Sequence, residues 1–107
     1  MGIRINGIVI DANDLDLLAR FWGGLLDLAV TRREADWISL GPDLALQRVP
    51  EPKAVKNRVH FDLVADDFAE AVARATDLGA TPAGEVQEDL WQVWRDPEGN
   101  EFCICVS

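Results

Sequence analysis

The segment GIVIDANDLDLLARFWGGLLDL, opening at Gly7, is answered 53 residues later by HFDLVADDFAEAVARATDLG, opening at His60. Each copy begins as a short alternating strand, crosses an acidic turn and enters a helix with one apolar face. Leu15, Leu18, Phe21, Trp22 and Leu25 recur at helical spacing in the first copy, as do Phe68, Ala71, Val72 and Ala75 in the second. Asp14 and Asp67 stand just ahead of these helices, where a carboxylate can accept the free amide hydrogens of a first turn.

Each helix is followed by material for three strands. In the first half these are expected around residues 28–32, 36–40 and 44–49, and in the second around 81–85, 89–95 and 101–106. The order is therefore βαβββ, twice. One such unit has too small a core to stand alone, so the two are expected to pack pseudo-symmetrically. This reading gives a single α+β domain over residues 1–107, built of modules 1–50 and 56–107 joined by PEPKAVKN. A chain of this length buries roughly 60–68% of its unfolded surface and needs no metal or disulfide staple.

Charge excludes more than it identifies. Acidic residues outnumber basic ones 19 to 10, for a net charge of −9, and no cluster of Lys or Arg interrupts the excess. Nucleic acids and anionic membranes both need a cationic footprint, so neither is an expected partner. Cys103 and Cys105 fall two apart on one strand face, at the upper limit of disulfide reach, and read as reduced thiols. With no basic region, cleavage site or long apolar run at MGIRINGIVIDANDLD, the expected location is cytoplasmic.

IVIDANDLDLLARFWGGLLDL, PEPKAVKNRVHFDLVADD and WRDPEGNEFCICV together resemble the vicinal oxygen chelate superfamily, the glyoxalase, bleomycin-resistance and dioxygenase group, and within it the small glyoxalase-like domain proteins. The resemblance spans nearly the whole chain. It implies paired βαβββ modules forming a curved mixed sheet around a concave cavity, with helices outside. Members pair their modules within a chain or between chains, so a homodimer is implied as well.

Strand parity then assigns faces. Ile8 and Ile10, Leu44 and Leu46, Phe61 and Leu63, and Phe102, Ile104 and Val106 are expected toward the helices. Gly7, Val9 and Asp11, Ala45, Gln47 and Val49, His60, Asp62 and Val64, and Glu101, Cys103 and Cys105 take the concave side. Metal-using members place a histidine at the position of His60, but the other inherited ligand positions hold Gly7, Gln47 and Cys103. His60 is thus the one metal candidate, in an incomplete set, and Glu101 falls two residues early for the expected glutamate. No cofactor is expected, with a divalent metal left open. A third ligand from Asp62, Glu101 or Cys105 is opposed by the poor convergence of i and i+2 side chains on one strand.

His60, the single histidine, can alternatively serve as a general base oriented by Asp62, or as a polar wall. Cys103 can be a nucleophile paired with His60, or a small residue lining the cavity. Because Trp91 and Trp94 have opposite parity, one should face the concavity. Trp94 is expected there, with core packing as the competing role, and Trp37 is undecided in the same way. Candidate catalytic residues are therefore His60, Cys103 and Asp62, and candidate ligand-binding residues Gln47, Trp94, Trp37 and Glu101. Arg48, Lys53 and Lys56 add a local cationic rim. Two functions follow: a glyoxalase-like lyase or isomerase acting on a small molecule, or a module that binds or sequesters one without chemistry.

Overall fold

The computed structural model describes residues 2–107. The chain divides after Pro52 into two compact units. The first runs β1 (Ile8–Ala12), α1 (Leu15–Leu26), β2 (Val30–Glu34), β3 (Trp37–Leu40) and β4 (Leu44–Arg48). The second runs β5 (Asp62–Ala65), α2 (Phe68–Asp77), β6 (Thr81–Pro82), β7 (Trp91–Arg95) and β8 (Glu101–Val106). Both are βαβββ modules, each a mixed sheet with a flanking helix. The strand orders match, β1-β4-β3-β2 in one four-stranded sheet and β5-β8-β7-β6 in the other. In each, the first strand pairs in parallel with the last.

The helices start where the acidic turns put them. Asp14 has extended backbone and its carboxylate accepts the amide of Leu17 at 3.0 Å; Asp67 does the same for Glu70 at 3.0 Å. Helix α1 ends at Asp27, which adopts left-handed backbone at φ 55°, and the Leu28 amide folds back onto the Gly23 carbonyl at 2.9 Å. This reversal delays β2 to Val30, two residues beyond the sequence expectation.

Leu18, Phe21 and Trp22 of α1 lie fully buried, as do Ile38, Leu40 and Leu46 of the sheet that α1 covers. The Phe21 and Trp22 rings meet edge to face at 5.1 Å. Each such side chain contributes about 1.5–3 kcal/mol by leaving water. In the second unit α2 packs on β8, where Phe102 and Ile104 are buried together with Ala75 and Trp94.

The strand expected over 81–85 shrinks to Thr81–Pro82, beyond which the Ala83 amide still donates to the Val93 carbonyl at 2.9 Å. The DPEGN turn is closed by Asp96, which is only 3% exposed and whose carboxylate accepts the amides of Glu98 at 2.9 Å and Asn100 at 3.0 Å. Gly99 supplies the positive φ of 90° that returns the chain into β8. Among the described residues no helix is long and apolar enough to cross a membrane.

Candidate functional site

Register places the reactive residues of the second unit. Asp62 of β5 is the ladder partner of Cys103 of β8, and Val64 is the partner of Cys105. Side chains of directly paired residues leave the same face of a sheet. Asp62 and Cys103 therefore project side by side from neighbouring strands, held by backbone hydrogen bonds rather than by their own contacts.

His60 is expected at the start of this strand, but the strand begins only at Asp62, leaving His60 in irregular backbone two residues earlier. That difference has a chemical effect. Within a strand, i and i+2 side chains run parallel; outside it the imidazole is free to bend toward its neighbour. His60 Nε2 lies 3.2 Å from Asp62 Oδ1. One nitrogen of His60, one carboxylate oxygen of Asp62 and the Cys103 sulfur all lie within 4.8 Å of one another. Convergence of Asp62 with its i−2 neighbour, opposed by strand geometry in the sequence reading, is thus achieved.

Burial grades this cluster. Cys103 is 8% exposed, while His60 and Asp62 are open to solvent. Burial pushes the Cys103 thiol above its ordinary range, and the Asp62 charge and a thiol hydrogen bond to that carboxylate push it further, with Cys105 adding to the effect. The charge of Lys56 acts in the opposite direction. Cys105 is also raised, by burial and then by Asp62. A thiol held protonated in this way is a poor nucleophile and a good hydrogen-bond donor. Both cysteines are free thiols.

Two expected ligand-binding residues are placed elsewhere. Trp94 pairs with Phe102 and shares the buried apolar face, at 3% exposure, so it packs the core and does not join Cys103. Trp91 takes the other face, opposite Cys105, with Val93 opposite Cys103. The sequence contains the signal for this. Once DPEGN closes Arg95 on Glu101, counting outward along the hairpin sets Trp91 against Cys105 and Trp94 against Phe102.

Glu101 is spoken for by its own surroundings. Its carboxylate receives the Lys53 ammonium at 3.0 Å and the Asn57 amide at 2.8 Å. Desolvation works to raise its pKa, but the Asn57 amide and the Lys53 hydrogen bond and charge outweigh it and hold the carboxyl below its usual range. Lys53 thereby serves as an anchor, and Arg48 pairs with Asp36 at 3.1 Å, so neither stands as a free cationic rim.

In the first unit Gln47 is exposed between register partners Asp11 and Trp37. Trp37 donates its indole N–H to Ser39 Oγ at 2.8 Å. With Val9, Ser39, Ala45 and Asn6 it lines an open cavity of about 610 Å³. Gly7 borders the same cavity and offers no donor. A Cβ there would stand 3.3 Å from the Asp43 carbonyl oxygen, tighter than an ordinary contact. The inherited ligand set implied by the resemblance therefore does not fit a metal: of Gly7, Gln47, His60 and Cys103, only the last two bring good donors.

Comparison with known proteins agrees with this fold. The glyoxalase-like domain family matches residues 7–105. Among solved structures, a glyoxalase/bleomycin resistance protein/dioxygenase family enzyme from Burkholderia phytofirmans is similar with a TM-score of 0.78 and 17% identity, over 97% of this chain and 98% of that one. The fosfomycin resistance protein FosX from Mesorhizobium loti is similar at TM-score 0.76 and 16% identity, over 98% and 92% of the two chains. Trypanothione-dependent glyoxalase I from Leishmania major gives TM-score 0.76 and 19% identity, over 98% and 87%. At such identities these likenesses establish the fold alone. No curated protein matched the sequence. The chain belongs to the glyoxalase-like domain family of the vicinal oxygen chelate superfamily.

Proposed function

We propose that the chain is a small-molecule enzyme of the glyoxalase type, a lyase or isomerase in which His60 is the general base. The observation that carries this reading is the 3.2 Å approach of His60 Nε2 to Asp62 Oδ1 beside a buried thiol. A carboxylate at that nitrogen keeps the proton on Nε2 and leaves the Nδ1 lone pair to accept one. A substrate proton on carbon next to a carbonyl is a suitable target. Its transfer to Nδ1 makes an imidazolium, which the Asp62 charge stabilises. The resulting enolate recovers a proton from the same imidazolium at a neighbouring atom in an isomerase, or expels a leaving group in a lyase. Cys103, kept protonated by burial and by the Asp62 charge, stands beside that carboxylate and takes no part in the proton transfer.

General bases of this kind contribute roughly 10²–10⁴-fold to rate. The test is proton exchange at carbon, followed by NMR in deuterated water across a panel of 2-hydroxy and 2-oxo carbonyl compounds. Exchange that disappears in His60→Ala supports the reading; exchange that survives in the variant overturns it.

The cavity beside Trp37 supports a second reading, capture of a small molecule without turnover. Aromatic stacking on a partly buried indole would then supply the affinity. Under that reading Trp37→Ala weakens binding of panel compounds, His60→Ala leaves it unchanged, and no exchange occurs.

A further inference from the structure

Of the three cations at the rim, Arg48 and Lys53 are taken up in ion pairs, which leaves Lys56 as the one without an ion pair among the described residues. Its backbone is fixed from both sides. The Val55 carbonyl accepts the Lys53 ammonium at 2.6 Å, and the Asn57 amide donates to the Glu101 carboxylate at 2.8 Å, the same carboxylate that holds Lys53 at 3.0 Å. Glu101 and Cys103 are two apart on β8, so their side chains leave one face of the sheet, opposite the face of Phe102 and Ile104 that α2 covers. Residues 53–57 therefore lie against the face that carries Cys103, Asp62 and His60. The charge of Lys56 reaches the Cys103 thiol, which it acts to lower against the other influences.

Charge and polarity are graded along this face. At the Glu101 end the cations Lys53, Lys56 and Arg95 accompany the carboxylates Glu101 and Asp62, with Lys53 at 3.0 Å and Arg95 at 3.9 Å from Glu101. An incoming anion thus meets a neutralised Glu101, and Lys56 offsets Asp62, in a chain whose net charge is −9. Two residues beyond Cys103, about 6.6 Å along the strand, the lining turns apolar. Val64 and Trp91 flank Cys105 there as its register partners and are 69% and 37% exposed. We propose that this face takes a small acid with an apolar side chain, its carboxylate against Lys56, its carbonyl carbons beside His60 and its side chain along Val64 and Trp91.

The groups select the ligand. A single ammonium on a flexible stem, with no nest of backbone amides beside it, suits one carboxylate and not a phosphate, whose charge calls for more donors. Val64 offers no hydrogen-bond partner and the Trp91 ring offers a flat apolar surface, so selection at that end is for a branched or aromatic hydrocarbon group. The inference rests on the general-base reading for what happens to the bound acid: it brings the carbon protons of a 2-oxo acid to His60 and leaves Nδ1 free to take them. Recognition by Lys56 is read separately, by binding.

The full chain is titrated by calorimetry with 4-methyl-2-oxopentanoate, with its uncharged amide and with pyruvate, at low ionic strength. The branched acid should bind about fivefold more tightly than its amide, a preference that shrinks at about 0.5 M sodium chloride. It should bind at least about tenfold more tightly than pyruvate through its extra apolar carbons. Lys56→Gln should lose the preference for acid over amide and Lys56→Arg should restore it, whereas Arg20→Gln, the same charge change on α1, should keep it. Trp91→Ala should weaken the branched acid more than pyruvate. Equal affinity for acid and amide in the wild type, a preference that survives Lys56→Gln, or no binding of any of the three would overturn the inference. Carbon-proton exchange is followed on the same samples. The stated binding preferences without exchange overturn the base reading alone, and exchange that needs His60 but shows no preference for the acid overturns this inference alone.

Discussion

Asp62 and Cys103 face one another as ladder partners across β5 and β8, with a carboxylate oxygen of the first within 4.8 Å of the sulfur of the second. Burial is the leading cause of the raised thiol pKa, and Asp62 supplies the next two, its charge and its hydrogen bond. Asp62→Asn removes the charge and keeps the shape. In metal-free protein the alkylation profile of Cys103 should therefore move to lower pH, since thiolate forms more readily. Mass spectrometry after iodoacetamide treatment over a pH series reads this directly. An unchanged profile would mean that burial alone sets the thiol.

A second prediction concerns Glu101, whose half-buried carboxylate ties Lys53 and Asn57 to the start of β8. Its pKa is held below the ordinary range in the folded state. The folded state therefore binds this proton less readily than the unfolded chain, and the stabilisation is fully present above the unfolded value. It is lost as pH falls through the folded value. Glu101→Gln should cost about 2 kcal/mol near neutral pH, the scale of charge-assisted hydrogen bonds, and much less in acid. Urea melts of both proteins at pH 7 and pH 3.5 test this, and equal losses at both pH values would contradict it.

Trp94 provides a third. It is buried with Phe102 and Ile104, and its indole N–H has no hydrogen-bond partner among the described residues. Trp94→Ala should cost about 3–5 kcal/mol through the lost apolar contacts and the cavity left behind. Trp94→Phe should cost clearly less, because it also removes the unpaired donor. Thermal or urea denaturation of the two variants is the measurement. A larger loss in the phenylalanine variant would show that the indole nitrogen is satisfied.

The fold was legible because it is written twice and each copy is punctuated locally. Asp14 and Asp67 cap helices, Gly99 turns the last hairpin, and the Phe21–Trp22 pair fills the core beneath α1. Such features depend on neighbours in sequence, so a single sequence displays them. The site was legible in its residue types but not in its convergence. Whether His60 can reach Asp62 depends on a strand starting at residue 62 and not two residues earlier, a boundary that alternation alone does not mark. The fate of Glu101 was hidden for another reason: its partner Lys53 lies 48 residues away, and nothing local announces the pair. Trp94 was assigned by strand parity without using the hairpin register, which the DPEGN turn already contained.

Carbon-proton exchange in deuterated water, measured in parallel on wild type, His60→Gln and Cys103→Ser, tests the central claim most directly. With His60 as the base, the glutamine variant should lose at least about 100-fold in exchange rate, while the serine variant, which leaves His60 and Asp62 in place, should keep most of it. The reverse pattern, exchange abolished by Cys103→Ser and retained by His60→Gln, would contradict the account and make the thiol the reacting group.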